Sequence, residues 1–198
     1  MAIDVESIVI DALLSLVEDE GIALERITVK RILERSGVSR QTFYNHFLDK
    51  NDLICHVYER RIVGAFTGAA GDFRYREELE ASFARMRKHG EFMRQAARMT
   101  GQNNLSEHAQ KRAEAFDLAW HQKLWGNSPM PEELRLATVY HAIASTQMAL
   151  SWVLSGFAAS EAELADLICR MRALGMERLF EHAEGGRNPY ARTGGSET

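Results

Sequence analysis

From Asp4 to Glu20 the apolar side chains fall at Val5, Ile8, Val9, Ala12, Leu13, Leu16 and Val17, a three-and-four spacing that predicts one amphipathic helix. Gly21 follows it, the residue type that ends helices just past their last turn. The same helical spacing recurs along most of the chain, and no sustained two-residue alternation interrupts it. Only three prolines occur, Pro129, Pro131 and Pro189, and no internal repeat is visible. The pattern predicts an all-α fold.

Three helix starts in the next thirty residues share one grammar. Thr28, Ser39 and Asp49 have side chains suited to capping the free N–H groups of a first turn. Each follows an apolar residue (Ile27, Val38, Leu48) and precedes another at the fourth helical position (Ile32, Phe43, Leu53), the spacing of a hydrophobic staple. Two short helices are therefore expected, over Val29–Arg35 and Arg40–His46, joined by a tight turn in which Gly37 can take a positive φ. That is the helix-turn-helix pattern. A fourth helix is expected from Lys50 to about Gly68, and others over Tyr75–Lys88, Glu91–Met99, Ser106–Trp125, Glu132–Ser155 and Glu161–His182. The Gly-rich, polar stretch from Glu184 onward reads as a disordered tail.

Charge changes the picture locally. The net charge is −4, yet Arg26, Lys30, Arg31, Arg35, Arg40 and Lys50 face only Glu34 and Asp49 within the same segment. A basic segment in an acidic protein fits a local nucleic-acid surface, and it also fits a solvated helix face. The acidic start and the two distant cysteines, Cys55 and Cys169, point to a reducing cytoplasm without a disulfide framework. No apolar run is long enough to span a bilayer.

The second helix of a helix-turn-helix inserts its N-terminal part into the major groove. Val38, Phe43 and Phe47 can point back into a core, which leaves Arg40, Gln41 and Tyr44 outward, flanked by Thr42, Asn45 and His46. Arg can pair with guanine and Gln with adenine in bidentate fashion. Thr42 and Tyr44 offer hydroxyls to phosphate or apolar surface to thymine. Thr28 and Lys50 open helices whose N-terminal N–H groups suit phosphate. Tyr44, Asn45 and His46 could instead cap or pack against the first helix, and His46 could do both.

The stretch "IVIDALLSLVEDEG…ITVKRILERSGVSRQTFYNHFLDKNDLI" resembles the DNA-binding domain of tetracycline-repressor (TetR) family regulators over roughly Ile8 to Arg61. The resemblance rests on the T-x-x-x-I start of the second helix, the "GVSRQTFYNHF" turn and recognition helix, and the K-x-D-L start of the fourth. It departs at Asn51, where the family more often has Glu. It implies an all-α protein of about nine helices, a homodimer on pseudo-palindromic double-stranded operator DNA, and a C-terminal domain that binds an effector. By position it implies DNA contacts from Thr28, Ser39, Arg40, Gln41, Thr42, Tyr44, Asn45, His46 and Lys50. The domains would be 1–50 for DNA, 51–183 for effector and dimer, and 184–198 as tail. "IASTQMALSWVLSG" resembles a subgroup of the same family that includes regulators of dihydroxyacetone kinase genes, some of which act through a protein partner.

The last two helices carry more apolar surface than a small domain easily covers, so a four-helix bundle with a second copy is expected, the alternative being burial within one chain. Met93, Phe116, Trp120, Tyr140, Met148 and Trp152, with His121 as a polar tip, are candidates for a pocket holding a small hydrophobic effector; they are equally ordinary core residues. His108, Asp117 and His121 lack the spacing of a metal site, and no nucleophile elbow or phosphate-cradling loop is present, so neither a cofactor nor an enzyme is expected. Two readings remain: a repressor released by a small hydrophobic effector, or an interaction module of the same fold that recruits a protein partner as an activator subunit or nucleoid-associated factor.

Overall fold

The computed structural model describes residues 4–64, 74–101 and 104–180, with side chains to residue 173. Among these residues there are no strands, and the helices run in the order α1 (Val5–Glu18), α2 (Val29–Ser36), α3 (Arg40–His46), α4 (Lys50–Val57), α5 (Tyr75–Lys88), α6 (Gly90–Arg98), α7 (Leu105–Trp125), α8 (Glu132–Leu154) and α9 (Glu161–Phe180). A 3-10 turn, Leu24–Arg26, leads into α2. The expected tail from Glu184 lies outside the described residues.

The caps form as the sequence predicts. Thr28 accepts from the Arg31 N–H, Ser39 from Thr42 and Asp49 from Asp52. Gly37 ends α2 with φ 69°, in the left-handed region that glycine enters without strain. Two of the staples close on buried residues: Ile27 and Ile32 are enclosed, and partly buried Val38 packs with Phe43 against the core. The third does not. Leu48 is 82% exposed although Leu53 is fully buried. The start of α4 is instead closed by a reciprocal polar cap, since the Leu48 N–H donates to the Asp52 carboxylate while Asp49 accepts from the Asp52 N–H.

The fourth helix also differs from its expected course. Its α geometry stops at Val57, and Tyr58–Val63 forms a π-turn closed by the Gly64 N–H bonding to the Glu59 carbonyl. Residues 65–68 of the expected helix lie outside the described ones. The wider turn is fixed from α5: the Arg85 guanidinium donates to the Ile62 and Val63 carbonyls, and the Ser82 hydroxyl donates to Ile62. Leu53, Val57 and Ile62 are all fully buried.

One apolar cluster runs from Val9, Leu13 and Phe43 through Leu53 and Val57 to Phe83, Met93, Trp152 and Ile168. The helix-turn-helix therefore shares its core with the C-terminal helices. A second cluster gathers Tyr75, Phe116, Trp120, Leu134 and Cys169. Beside it lies a buried ion pair: the Arg172 guanidinium donates to the Asp117 carboxylate at 2.6 Å, with both side chains 2% exposed. Arg172 also lies 4.8 Å from the Tyr75 ring centroid and donates to Ser145. Burial pushes the Asp117 carboxyl up against the opposing pull of Arg172.

Removing one partner of such a pair strands a buried charge. Arg172→Met should lower unfolding free energy by about 3–5 kcal/mol, read by urea denaturation. Adding Asp117→Leu should recover most of that loss. A loss in the double variant equal to the sum of the losses in Arg172→Met and Asp117→Leu would mean that the two charges are not coupled.

Candidate nucleic-acid interface and effector cavity

Phe43 and Phe47 decide how α3 is presented. Both are essentially inaccessible, with ring centroids 5.2 Å apart. With Phe43 pinned inward, Arg40, Gln41, Tyr44 and Asn45 are all exposed. Tyr44 packs edge-on against Phe43 at 5.3 Å, and the Arg40 guanidinium sits 5.7 Å from the Tyr44 ring. These contacts preset both side chains on an open helix face. The Ser39 and Thr42 hydroxyls bond each other at 2.8 Å at the helix start. Thr28 is exposed at the start of α2.

His46, although exposed, and the half-buried Lys50 take partners within the protein. His46 Nδ1 lies 3.5 Å from the Glu6 carboxylate, which also accepts from Arg60, so His46 ties α3 to α1. The Lys50 ammonium donates to the carbonyls of Leu24, Glu25 and Ile27 at 3.0, 3.4 and 3.0 Å, and desolvation pulls its pKa down. It clamps the turn before α2 to the start of α4. Of the other basic residues, Arg31 and Arg35 reach Glu20, and Lys30 reaches Glu34. The basic surface is thus narrower than the residue count implies, and Arg40 is its cation on the recognition helix.

The seven candidate pocket residues do not converge. Met93 is fully buried in the large cluster, and partly buried Met148 packs against it. Trp152 is buried there too and donates through Nε1 to the Ala159 carbonyl. Tyr140 is 69% exposed. His121 is fully buried, and its Nδ1 pairs with the Thr138 hydroxyl at 2.8 Å. Thr138 in turn donates to the Leu134 carbonyl, so His121 carries its proton on Nδ1. Burial holds His121 down at about 3, with the Arg172 charge adding to the effect, so the ring is neutral.

Phe116 does line a cavity. It measures about 80 Å³ and is walled by Tyr58 and Val63 of the π-turn, Leu79, Phe83 and Met86 of α5, Arg112 and Asp117 of α7, Leu150 of α8 and Arg172 of α9. Trp120 stands one layer behind, stacked on Tyr75 at 5.0 Å and on Phe116 at 6.2 Å. Sequence reasoning passed over Arg172, Asp117 and Arg112 here. The signal was present: Leu164, Ile168 and Arg172 follow one another at four-residue spacing on the buried stripe of α9, so an arginine sits where an apolar residue is expected.

Glu59, on the π-turn, joins this wall to α7. It accepts from His108 Nε2 at 2.8 Å and from Arg112 Nε at 3.2 Å. Burial would raise the Glu59 carboxyl, but these two partners outweigh it and hold the group low. Hydrogen bonding to Cys55 and Glu59 lifts His108 to about 9. His108, Asp117 and His121 thus have separate partners in Glu59, Arg172 and Thr138.

Comparison with known proteins gives two findings. Residues 9–57 match the family described as bacterial regulatory proteins, tetR family. Among solved structures, the chain is similar to one named dihydroxyacetone kinase operon activator DhaS, with a TM-score of 0.64 and 17% identity over 87% of this chain and 96% of that one. At that identity the likeness is one of fold. No curated protein sequence is matched.

Lys50→Met should remove a charged clamp from three carbonyls and destabilise the protein by about 1–3 kcal/mol. The slope of DNA affinity against salt should stay unchanged, because the ammonium faces inward. A slope reduced by about one would make Lys50 a phosphate contact.

His108 supplies a pH dependence. Its folded pKa lies above the ordinary histidine value, so its stabilisation is complete below about pH 6.5 and is lost as pH rises through about 9. Thermal midpoints across that window should fall in the wild type and flatten in His108→Gln. Parallel curves would show that other groups set the decline.

Proposed function

Since residues 9–57 match the tetR family of bacterial regulatory proteins, we propose that this chain represses transcription by occupying an operator as a two-fold dimer and is released when a small effector enters its C-terminal domain. Residues 1–50 read DNA in this account, and residues 51–183 carry the effector cavity and the dimer surface. The observation that carries it is the outward set Arg40, Gln41, Tyr44 and Asn45 on a helix whose Phe43 is fully buried. Arg40 and Gln41 have the donors for bidentate base contacts, while Thr28, Ser39, Thr42 and Tyr44 bring hydroxyls to the backbone. Asn45 stands at the rim of that surface, and His46 and Lys50 support it from behind.

Dimerisation is supported by the exposed sides of α8 and α9. Leu136, Tyr140 and Leu154 on one helix, and Leu167 and Met171 on the other, are 39–69% exposed. Pairing with the same helices of a second copy would cover these apolar groups and space two recognition helices for successive major grooves. Ile168, by contrast, is 1% exposed and belongs to the core of one chain.

Effector release is supported by the position of the cavity. Tyr58 and Val63 belong both to its wall and to the π-turn that prolongs α4. A ligand that displaces them acts on the helix that carries the DNA-reading domain. The fold likeness to a protein named an operon activator favours a second reading, in which the C-terminal domain recruits a protein partner and raises transcription. The cavity favours the first.

The test is selection from random duplex DNA. Wild-type protein should enrich a two-fold symmetric site. Arg40→Ala should lose ~1–3 kcal/mol at one base pair per half-site and keep its preferences elsewhere. Equal loss on selected and random DNA would reduce Arg40 to a phosphate contact. Failure to enrich any site would overturn the DNA-reading role of α3.

A further inference from the structure

The wall of the cavity is mostly apolar; its polar members are the hydroxyl residues Tyr58, Tyr75, Ser82, Ser145 and Thr146 and a small charged set. Arg112 and Arg172 face it together with one carboxylate, Asp117. The second carboxylate of the network, Glu59, lies outside the wall and serves both Arg112 and His108.

We propose that the effector is a small organic anion, a compact carboxylate with a short apolar body, whose carboxylate is taken by Arg112 and Arg172. This rests on the effector-release reading above. A cation entering the cavity would meet two guanidinium groups. A purely apolar molecule would cover the partly exposed Arg112 guanidinium and return no hydrogen bond, which is unfavourable. A carboxylate matches the fork of a guanidinium. Its body would lie on Leu79, Phe83, Met86 and Phe116.

Size limits the body. The cavity of about 80 Å³ is smaller than the roughly 150 Å³ that accepts benzene in an engineered protein interior. About three to six non-hydrogen atoms fit, the upper end requiring Met86 to move, which a flexible thioether side chain readily does.

The chemistry also links the ligand to DNA. Arg112 bonds Glu59, and Glu59 stands on the π-turn. A carboxylate that draws Arg112 inward weakens the Arg112–Glu59 bond and leaves the His108–Glu59 bond to α7, while the ligand body presses on Tyr58 and Val63. Both effects loosen the junction between α4 and α7 on the effector side.

The experiment uses the full chain and its selected operator. The protein is titrated with sodium acetate, butyrate and hexanoate, and with butyramide and 1-butanol as uncharged partners of butyrate. Sodium chloride holds the ionic strength constant. Tryptophan fluorescence follows binding, because Trp120 stacks on Tyr75 at the cavity edge, and operator release is measured in parallel. Butyrate should bind and release DNA, and butyramide and butanol should bind about tenfold or more weakly. Arg112→Gln should lose about tenfold in butyrate affinity. Arg112 is partly exposed, so this variant can be read even if substitution of Arg172 prevents folding; a thermal melt of Arg112→Gln checks the fold directly.

Butyramide or butanol binding as well as butyrate, with operator release, overturns the anion assignment and leaves effector release standing. Carboxylate binding that leaves the operator complex intact keeps the ligand class and overturns effector release. Undiminished butyrate affinity in Arg112→Gln overturns the placement of the carboxylate. Failure of all three carboxylates to bind at millimolar concentration overturns the proposal.

Discussion

α4 is a short helix held at both ends, and the relation between the DNA-reading helices and the rest of the chain depends on it. At its start the Lys50 ammonium gathers the carbonyls of Leu24, Glu25 and Ile27. At its end Tyr58, Ile62 and Val63 sink into the C-terminal core, with Arg85 holding the Ile62 and Val63 carbonyls. Between these points Leu53, Ile54 and Val57 are buried. A helix fixed this way cannot shift at one end without being felt at the other, because close-packed interiors transmit displacement. The outward face of α3 inherits that rigidity through Phe47, which packs at 5.0 Å against His56 of α4.

The polar groups follow the same logic. Most ion pairs here are exposed and contribute little individually to stability. Arg172 with Asp117 is fully enclosed and Glu59 with His108 and Arg112 is partly so, and both adjoin the cavity or its wall. Buried charges are a poor way to stabilise a fold compared with apolar packing. Their position at the one place where the C-terminal helices meet the π-turn suits recognition better than stability.

Much of the fold was legible because capping chemistry is local. Thr28, Ser39 and Asp49 mark their helix starts within three residues, so α2, α3 and the start of α4 could be read directly. The outward face of α3 followed from Phe43 alone. What escaped depends on partners distant in sequence. Counting charge between Arg26 and Lys50 missed that Glu20, just outside the window, takes both Arg31 and Arg35, and that Lys50 turns inward. Leu48 matched a staple pattern, but Asp52 closes the helix start instead. Aromatic and methionine residues do not mark the cavity; its distinctive members are two arginines and an aspartate brought together from α7 and α9. Apolar periodicity predicts which face is buried and is silent about which buried faces leave a gap between them.

The π-turn has a geometric meaning as well. Leu53 and Val57 are four residues apart, Val57 and Ile62 five, yet all three point into the same core. In an uninterrupted α-helix each added residue swings the next side chain by about 100°, so the extra one would aim Ile62 away from Val57's neighbours. The wide turn absorbs that surplus. It behaves as a gear tooth between the two halves of the protein: if the turn tightened to ordinary helix, the later core residues would stay in place only if everything before Tyr58, recognition helix included, rotated about the α4 axis by roughly a quarter of a turn.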